Sequence, residues 1–345
     1  QENTSTNFFT YSGLLASATL TGTFIQFVVQ IWEINKIGLL RFKSNFQSFK
    51  DEEKRIFNLI IPASISSGLS QINVFIDMFF ASSFQGAASG LAYGNFLIQA
   101  PLGILSNSLI LPLLPKFSQL KSDKNTRGIQ KKLISGIEYC FLTTIFLTGF
   151  FITFNNQIVQ LVFQRGAFDY LASLKVKNIL IAYAVGIPFY LYRDLLVRTY
   201  YSIEKTKFPF RLSCAGIILN VFFDWFLIGA PITNFGNLSP YNFGVVGIIL
   251  SSVIVNFIVS IFLSLNLENE DIHLPNLNLL KKITLMSFAS FIDSFLCFTF
   301  LKTNEKLNSS FGELSLLIFG SLTFFVIYFL ITKCLKVNSF KVYRK

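Results

Sequence analysis

Asn73-Val-Phe-Ile-Asp77 and Asn220-Val-Phe-Phe-Asp224 are one five-residue phrase written twice, each time inside a long apolar run. An Asn and an Asp four apart share one face of a helix. A carboxylate within a bilayer span is costly enough that it turns to a partner, an ion or a water-filled cavity rather than to lipid. Two matching polar faces on two apolar helices therefore predict a membrane protein in which both carboxylates serve a shared site for a cation or a proton.

Composition points the same way. Of 345 residues 52% are hydrophobic and 14% charged, and the mean hydropathy is +0.56, far from the balance of a soluble domain. Hydropathy predicts an all-α polytopic membrane protein with about nine spans of roughly 20 residues each. They lie near 11–31, 57–80, 87–114, 134–154, 178–201, 208–230, 243–265, 280–301 and 312–335. Pro101, Pro112 and Pro115 predict that the third is bent or interrupted.

The net charge of +11 raises nucleic-acid binding, and the placement of the basic residues removes it. Arg165, Lys175, Lys177, Lys302 and Lys306 fall on one side of the predicted spans, and Arg193 and Arg198 lie inside a span. The rest of the 29 Lys and Arg residues fall on the other side. The positive-inside rule then puts the C-terminus in the cytoplasm and, with nine spans, the N-terminus outside. The chain opens on Gln1 with a polar stub and no basic leader, so the expectation is the C-terminal part of a longer transporter.

Other chemistries find no support. Cys140, Cys214, Cys297 and Cys334 occupy different apolar runs without metal-ligand spacing, and His273 is the sole histidine. No transition metal and no nucleophilic His-dependent site is expected. There is no P-loop or dinucleotide fingerprint. A dyad of Asp77 and Asp224 acting as an intramembrane protease would be expected to bring a Gly-x-Gly-Asp motif, which is absent. The chain is expected not to be an enzyme and to need no cofactor.

Four segments resemble one family in order and spacing. They are Pro62 to Asp77 with Phe80-Ala81-Ser82; Leu91 to Gly103 with the run to Pro112 and Pro115; Leu161 to Phe168; and Arg198-Thr-Tyr200-Tyr201 with Glu204 to Pro209. Together they resemble the MurJ/MviN lipid II flippases, a branch of the multidrug/oligosaccharidyl-lipid/polysaccharide exporter superfamily. The resemblance implies a fourteen-helix fold of two lobes, with this chain corresponding to helices six to fourteen. Residues 1–56 would be the last helix of the N-terminal lobe and a cytoplasmic linker, and 57–265 the C-terminal six-helix lobe. Residues 266–345 would be two extra helices and a basic cytoplasmic tail. The implied partners are an undecaprenyl-diphosphate-linked peptidoglycan precursor, the lipid bilayer and the missing N-terminal lobe. The implied setting is the bacterial inner membrane, with secondary-active transport and no bond broken. A sister exporter of drugs or other lipid-linked oligosaccharides is the alternative.

The resemblance also assigns residues. Asp77, Asn220, Asp224 and a hydroxyl from Ser251 or Ser252 match the family's sodium ligands, and sodium is the candidate ion. Asn95, Gln99, Arg193, Asp194 and Arg198 are the candidates for the substrate cavity, where a guanidinium suits a diphosphate. Arg193 is expected to face that cavity, pairing with Asp194 or the substrate. Family members commonly carry an Arg just after the position of Asn95, and Phe96 stands there instead. Arg165 and Gly166 are expected to shape a structural loop between helices. Asp293 has no matched partner, and Glu138 is expected at the membrane interface.

Overall fold

The structure, a computed structural model, describes residues 2–38, 57, 60–61, 68, 71–164, 168–229, 241–274, 276–303 and 310–334. Among them every regular element is helical. The chain divides into two compact units, Gln1–Ile56 and Phe57–Lys345. The first holds α1 (Glu2–Lys36), whose hydroxyls bond back to its own carbonyls, as from Thr21 to Ser17 at 2.7 Å. That satisfies polar groups where lipid offers no partner.

The second unit runs through α2 (Gln71–Ala81), α3 (Ala87–Leu105), α4 (Leu113–Ser122), α5 (Thr126–Phe163), α6 (Tyr170–Ser202), α7 (Lys207–Ile228), α8 (Val245–Asn266), α9 (Asn276–Thr303) and α10 (Ser310–Cys334). Among the described residues six helices are long and apolar enough to cross a membrane: Ala87–Ser122 taken as one, α5, α6, α7, Val245–Glu270 and Leu277–Thr299; Gln71–Ala81 and Gly320–Lys333 are shorter apolar helices. Each predicted span overlaps a helix, and the all-α, multi-pass class holds. α5 has 38 residues, about 57 Å at the helical rise, so it extends beyond the hydrocarbon.

The bend in the third predicted span has a definite form. Between α3 and α4 lies a π-helical turn, Ser106–Ile110, in which the Leu111 N–H donates to the Ser106 carbonyl at 3.1 Å. Pro112 and Pro115 offer no N–H and crowd the carbonyls of the preceding turn, and widening that turn absorbs the misfit.

α6 is the hub, packing on α3, α4, α5 and α8, while α9 and α10 pack on α5 and on each other. Lipid supplies no hydrophobic drive between helices, so close approach of small residues must hold them. A Cβ at Gly94 of α3 would sit 2.5 Å from Ile179 of α6, and one at Gly149 of α5 would sit 2.1 Å from Ser290 of α9. The Glu138–Lys282 ion pair joins α5 to α9, which gives the expected interfacial carboxylate a partner. The register of α7 against α8 is set at their joint. Gly229 closes α7 with φ 70, and the N–H groups of Phe243 and Gly244 donate to the carbonyls of Leu227 and Ile228 at 3.0 Å each. These bonds satisfy carbonyls at the helix end, and this register places Asn220 opposite Ser251.

Candidate functional site

The two copies of the opening phrase meet. Asn220 Nδ2 donates to Asp77 Oδ1 at 2.9 Å and to Asp224 Oδ2 at 3.0 Å, so one amide bridges both carboxylates. Ser252 Oγ donates toward Asp77 Oδ2 at 3.4 Å and Asn220 Oδ1 at 3.2 Å. Ser251 Oγ reaches the Asn220 carbonyl at 3.1 Å and its Oδ1 at 3.3 Å. Side chains from α2, α7 and α8 therefore converge on one point. Gly247 allows it, because a Cβ there would sit 2.6 Å from the Leu227 carbonyl oxygen. A larger residue would force α8 away from α7.

Asn220, Asp224 and Ser251 are fully buried. Among the described residues Asp224 Oδ1 has no hydrogen-bond partner. A buried carboxylate oxygen without a donor is costly unless something positive occupies its open side. The remaining donors are carboxylate, amide and hydroxyl oxygens, the set that hard cations take. The residues present therefore fit the candidate ion. Asn73, which opens the first phrase, makes no bond to this cluster among the described residues, and its own Oδ1 is unpartnered.

A second layer continues from Ser252. Its carbonyl accepts from Asn256 Nδ2 at 2.6 Å, and Asn256 Oδ1 accepts from Arg193 Nη1 at 2.9 Å. Arg193 Nη2 also points to Ser213 Oγ at 3.4 Å. Asp194 pairs instead with Arg198, Nε to Oδ1 at 2.8 Å, and takes a bond from Ser106 Oγ at 2.8 Å. So Arg193 is turned to α7 and α8, and Asp194 is anchored to the π-helical turn. Asn256, Ser213 and Ser106 were not singled out from the sequence. Asn256 stands four residues beyond Ser252, a helical spacing that marks it, whereas nothing local marks the other two.

Asn95 and Gln99 are exposed on α3 with Phe96, and no described hydrogen bond ties them to the carboxylate cluster. Arg165 and Gly166 lie outside the described residues. Their flanks are clamped, since Phe163 and Phe168 both pack on Tyr93, with centroids at 4.9 and 5.4 Å. Asp293 is elsewhere, fully buried on α9.

Comparison with known proteins places the chain. A family model described as "Lipid II flippase MurJ" matches residues 2–320. The chain is 36% identical over 264 residues to a probable lipid II flippase MurJ of Synechocystis, covering 76% of this chain and 47% of that protein. It is 30% identical over 219 residues to a probable lipid II flippase MurJ of Vibrio cholerae, covering 61% and 41%. It thus spans less than half the length of these relatives. The fold resembles a solved structure titled "Lipid II flippase MurJ, inward closed conformation", with TM-score 0.60 and 23% identity, covering 83% of this chain and 56% of that one.

Proposed function

The chain belongs to the MurJ lipid II flippase family, and from that premise we propose that it serves the transport of a lipid-linked peptidoglycan precursor across the bacterial inner membrane. It does so without breaking a bond. The observation that carries the reading is the buried oxygen cluster joining α2 to α7 and α8 inside apolar helices. A cation seated there would neutralise carboxylates that lipid cannot solvate, and it would hold α2 against α7 and α8. Its release would free α2 to move, which is what alternating access requires of a helix at a lobe boundary.

Sodium is the ion we assign to Asp77, Asn220, Asp224, Ser251 and Ser252. The diphosphate headgroup would meet the exposed amides of Asn95 and Gln99 and the half-buried Asp194–Arg198 pair, while residues 1–56 would be the last helix of the N-terminal lobe and its linker. Residues 57–265 would act as one lobe and 266–345 as its C-terminal appendage, with the C-terminus in the cytoplasm. An N-terminal lobe is the partner that would complete the transport path.

The test is binding by the purified chain in nanodiscs, read by native mass spectrometry. Lipid II should be retained in preference to undecaprenyl phosphate and to a lipid-linked sugar lacking the peptide, and sodium should change the retained fraction. Equal retention of all three lipids, with no sodium effect, would reject the reading.

A further inference from the structure

Charge, rather than coordination alone, distinguishes this cluster. Oxygen ligands hold a cation in their ionised form, so Asp77 and Asp224 bring two negative charges. On the facing stretches of α2, α6, α7 and α8 the other charged side chains are Arg193, Asp194 and Arg198, while Lys207 and Arg211 are exposed at the start of α7. Asp194 and Arg198 form an ion pair at 2.8 Å and cancel. Arg193 makes no ion pair among the described residues. Its guanidinium is instead held by neutral groups, Asn256 Oδ1 at 2.9 Å and Ser213 Oγ at 3.4 Å. From Asn256 the bonded path runs through the Ser252 carbonyl, and the Ser252 hydroxyl touches Asp77 Oδ2 at 3.4 Å. The phenols of Tyr183 and Tyr190, which flank the cluster on α6, add no charge in their neutral form.

We propose that Arg193 is a positioning residue that sets the valence of the site: held by Asn256 and Ser213, two hydrogen-bonded residues removed from Asp77, it leaves the buried region with one net negative charge, which a single monovalent cation neutralises. This rests on the cation reading given under Proposed function and adds to it the reason for a monovalent ion. Two carboxylates among amide and hydroxyl oxygens would otherwise resemble a divalent-ion site, where ligand charge raises affinity. A fixed positive charge nearby repels a divalent ion twice as strongly as a monovalent one.

The test uses the full chain in nanodiscs, with radioactive sodium and radioactive calcium as probes. The unaltered chain should bind one sodium and prefer it to calcium. Arg193→Gln should raise the calcium-to-sodium affinity ratio at least tenfold, while Arg193→Lys, which keeps the charge, should hold the original preference. Ser213→Asp supplies a second route, cancelling the Arg193 charge without removing its side chain, and should shift the ratio in the same direction by at least tenfold. A shift below tenfold in both charge-altering variants overturns the proposal. So does an Arg193→Gln chain that fails to fold beside a folded Ser213→Asp chain with the original ratio, which would make Arg193 a packing residue. Asp224→Asn separates the two claims: intact sodium binding in that variant would remove the cation site itself.

Discussion

Asp224 and Asp293 are both fully buried carboxylates in membrane helices, and each has one oxygen without a partner among the described residues. Their surroundings differ in where the neighbouring hydroxyls point. Around Asp224, the Asn220 amide and the Ser251 and Ser252 hydroxyls turn toward side-chain oxygens of a shared centre. On the seam of α5, α9 and α10 the hydroxyls turn back to backbone. Tyr328 donates to the Leu142 carbonyl at 2.9 Å, Ser290 to that of Ile145 at 3.2 Å and Thr323 to that of Gly320 at 2.9 Å. Asp293 is left with the Cys297 thiol at 3.9 Å, a weak donor. The seam also carries a ring of aromatic contacts running Phe146–Phe150–Phe154–Phe324 and back to Phe146. Burial of an acid does not make a site. Convergence of oxygens from several helices marks the candidate.

The largest expected effect tests that contrast directly. At sodium near 1,000 times its Kd, binding should stabilise the fold by about 4.1 kcal/mol, and Asp224→Ala should abolish that gain, whereas Asp293→Ala should keep it. Thermal melts across a sodium series provide the measurement, and a sodium response lost in the Asp293 variant would erase the distinction. Next, Phe324→Ala should destabilise the aromatic seam by about 3 kcal/mol and leave the sodium response unchanged. Gly149→Ala should act in the same direction, since its Cβ would meet Ser290 Oγ at 2.1 Å and Phe324 Cζ at 2.9 Å.

A smaller effect is expected at the π-helical turn. Ser106→Ala removes the donor to Asp194 and should cost about 1 kcal/mol. Faster amide exchange confined to the stretch after Ser106 would be the sign. Smallest of all, Asp293→Asn should change stability by less than about 1 kcal/mol, because no strong hydrogen bond is lost. A loss several times larger in chemical denaturation would mean that Asp293 has a role its surroundings do not display.

By itself the sequence determined the class of the fold and singled out Asp77, Asn220 and Asp224. Long apolar runs at bilayer length are a property of composition along the chain, so no tertiary contact was needed to read them. Pro112 and Pro115 likewise announced an interruption, because a missing N–H acts on its own turn, whereas α3 runs on through Pro101. Asp77, Asn220 and Asp224 were legible because a polar pair at helical spacing is conspicuous against an apolar background. What tertiary structure alone decided was who bonds to whom. Asn73 and Asn220 open the same phrase, yet Asn220 bridges both carboxylates while no described bond ties Asn73 to them. Adjacent on α6, Arg193 and Asp194 point to different partners, Arg193 to α7 and α8 and Asp194 to Ser106 and Arg198. Consecutive helical residues are turned about 100° apart, so neighbours in sequence face different helices, and which helix each one meets follows from how the bundle packs.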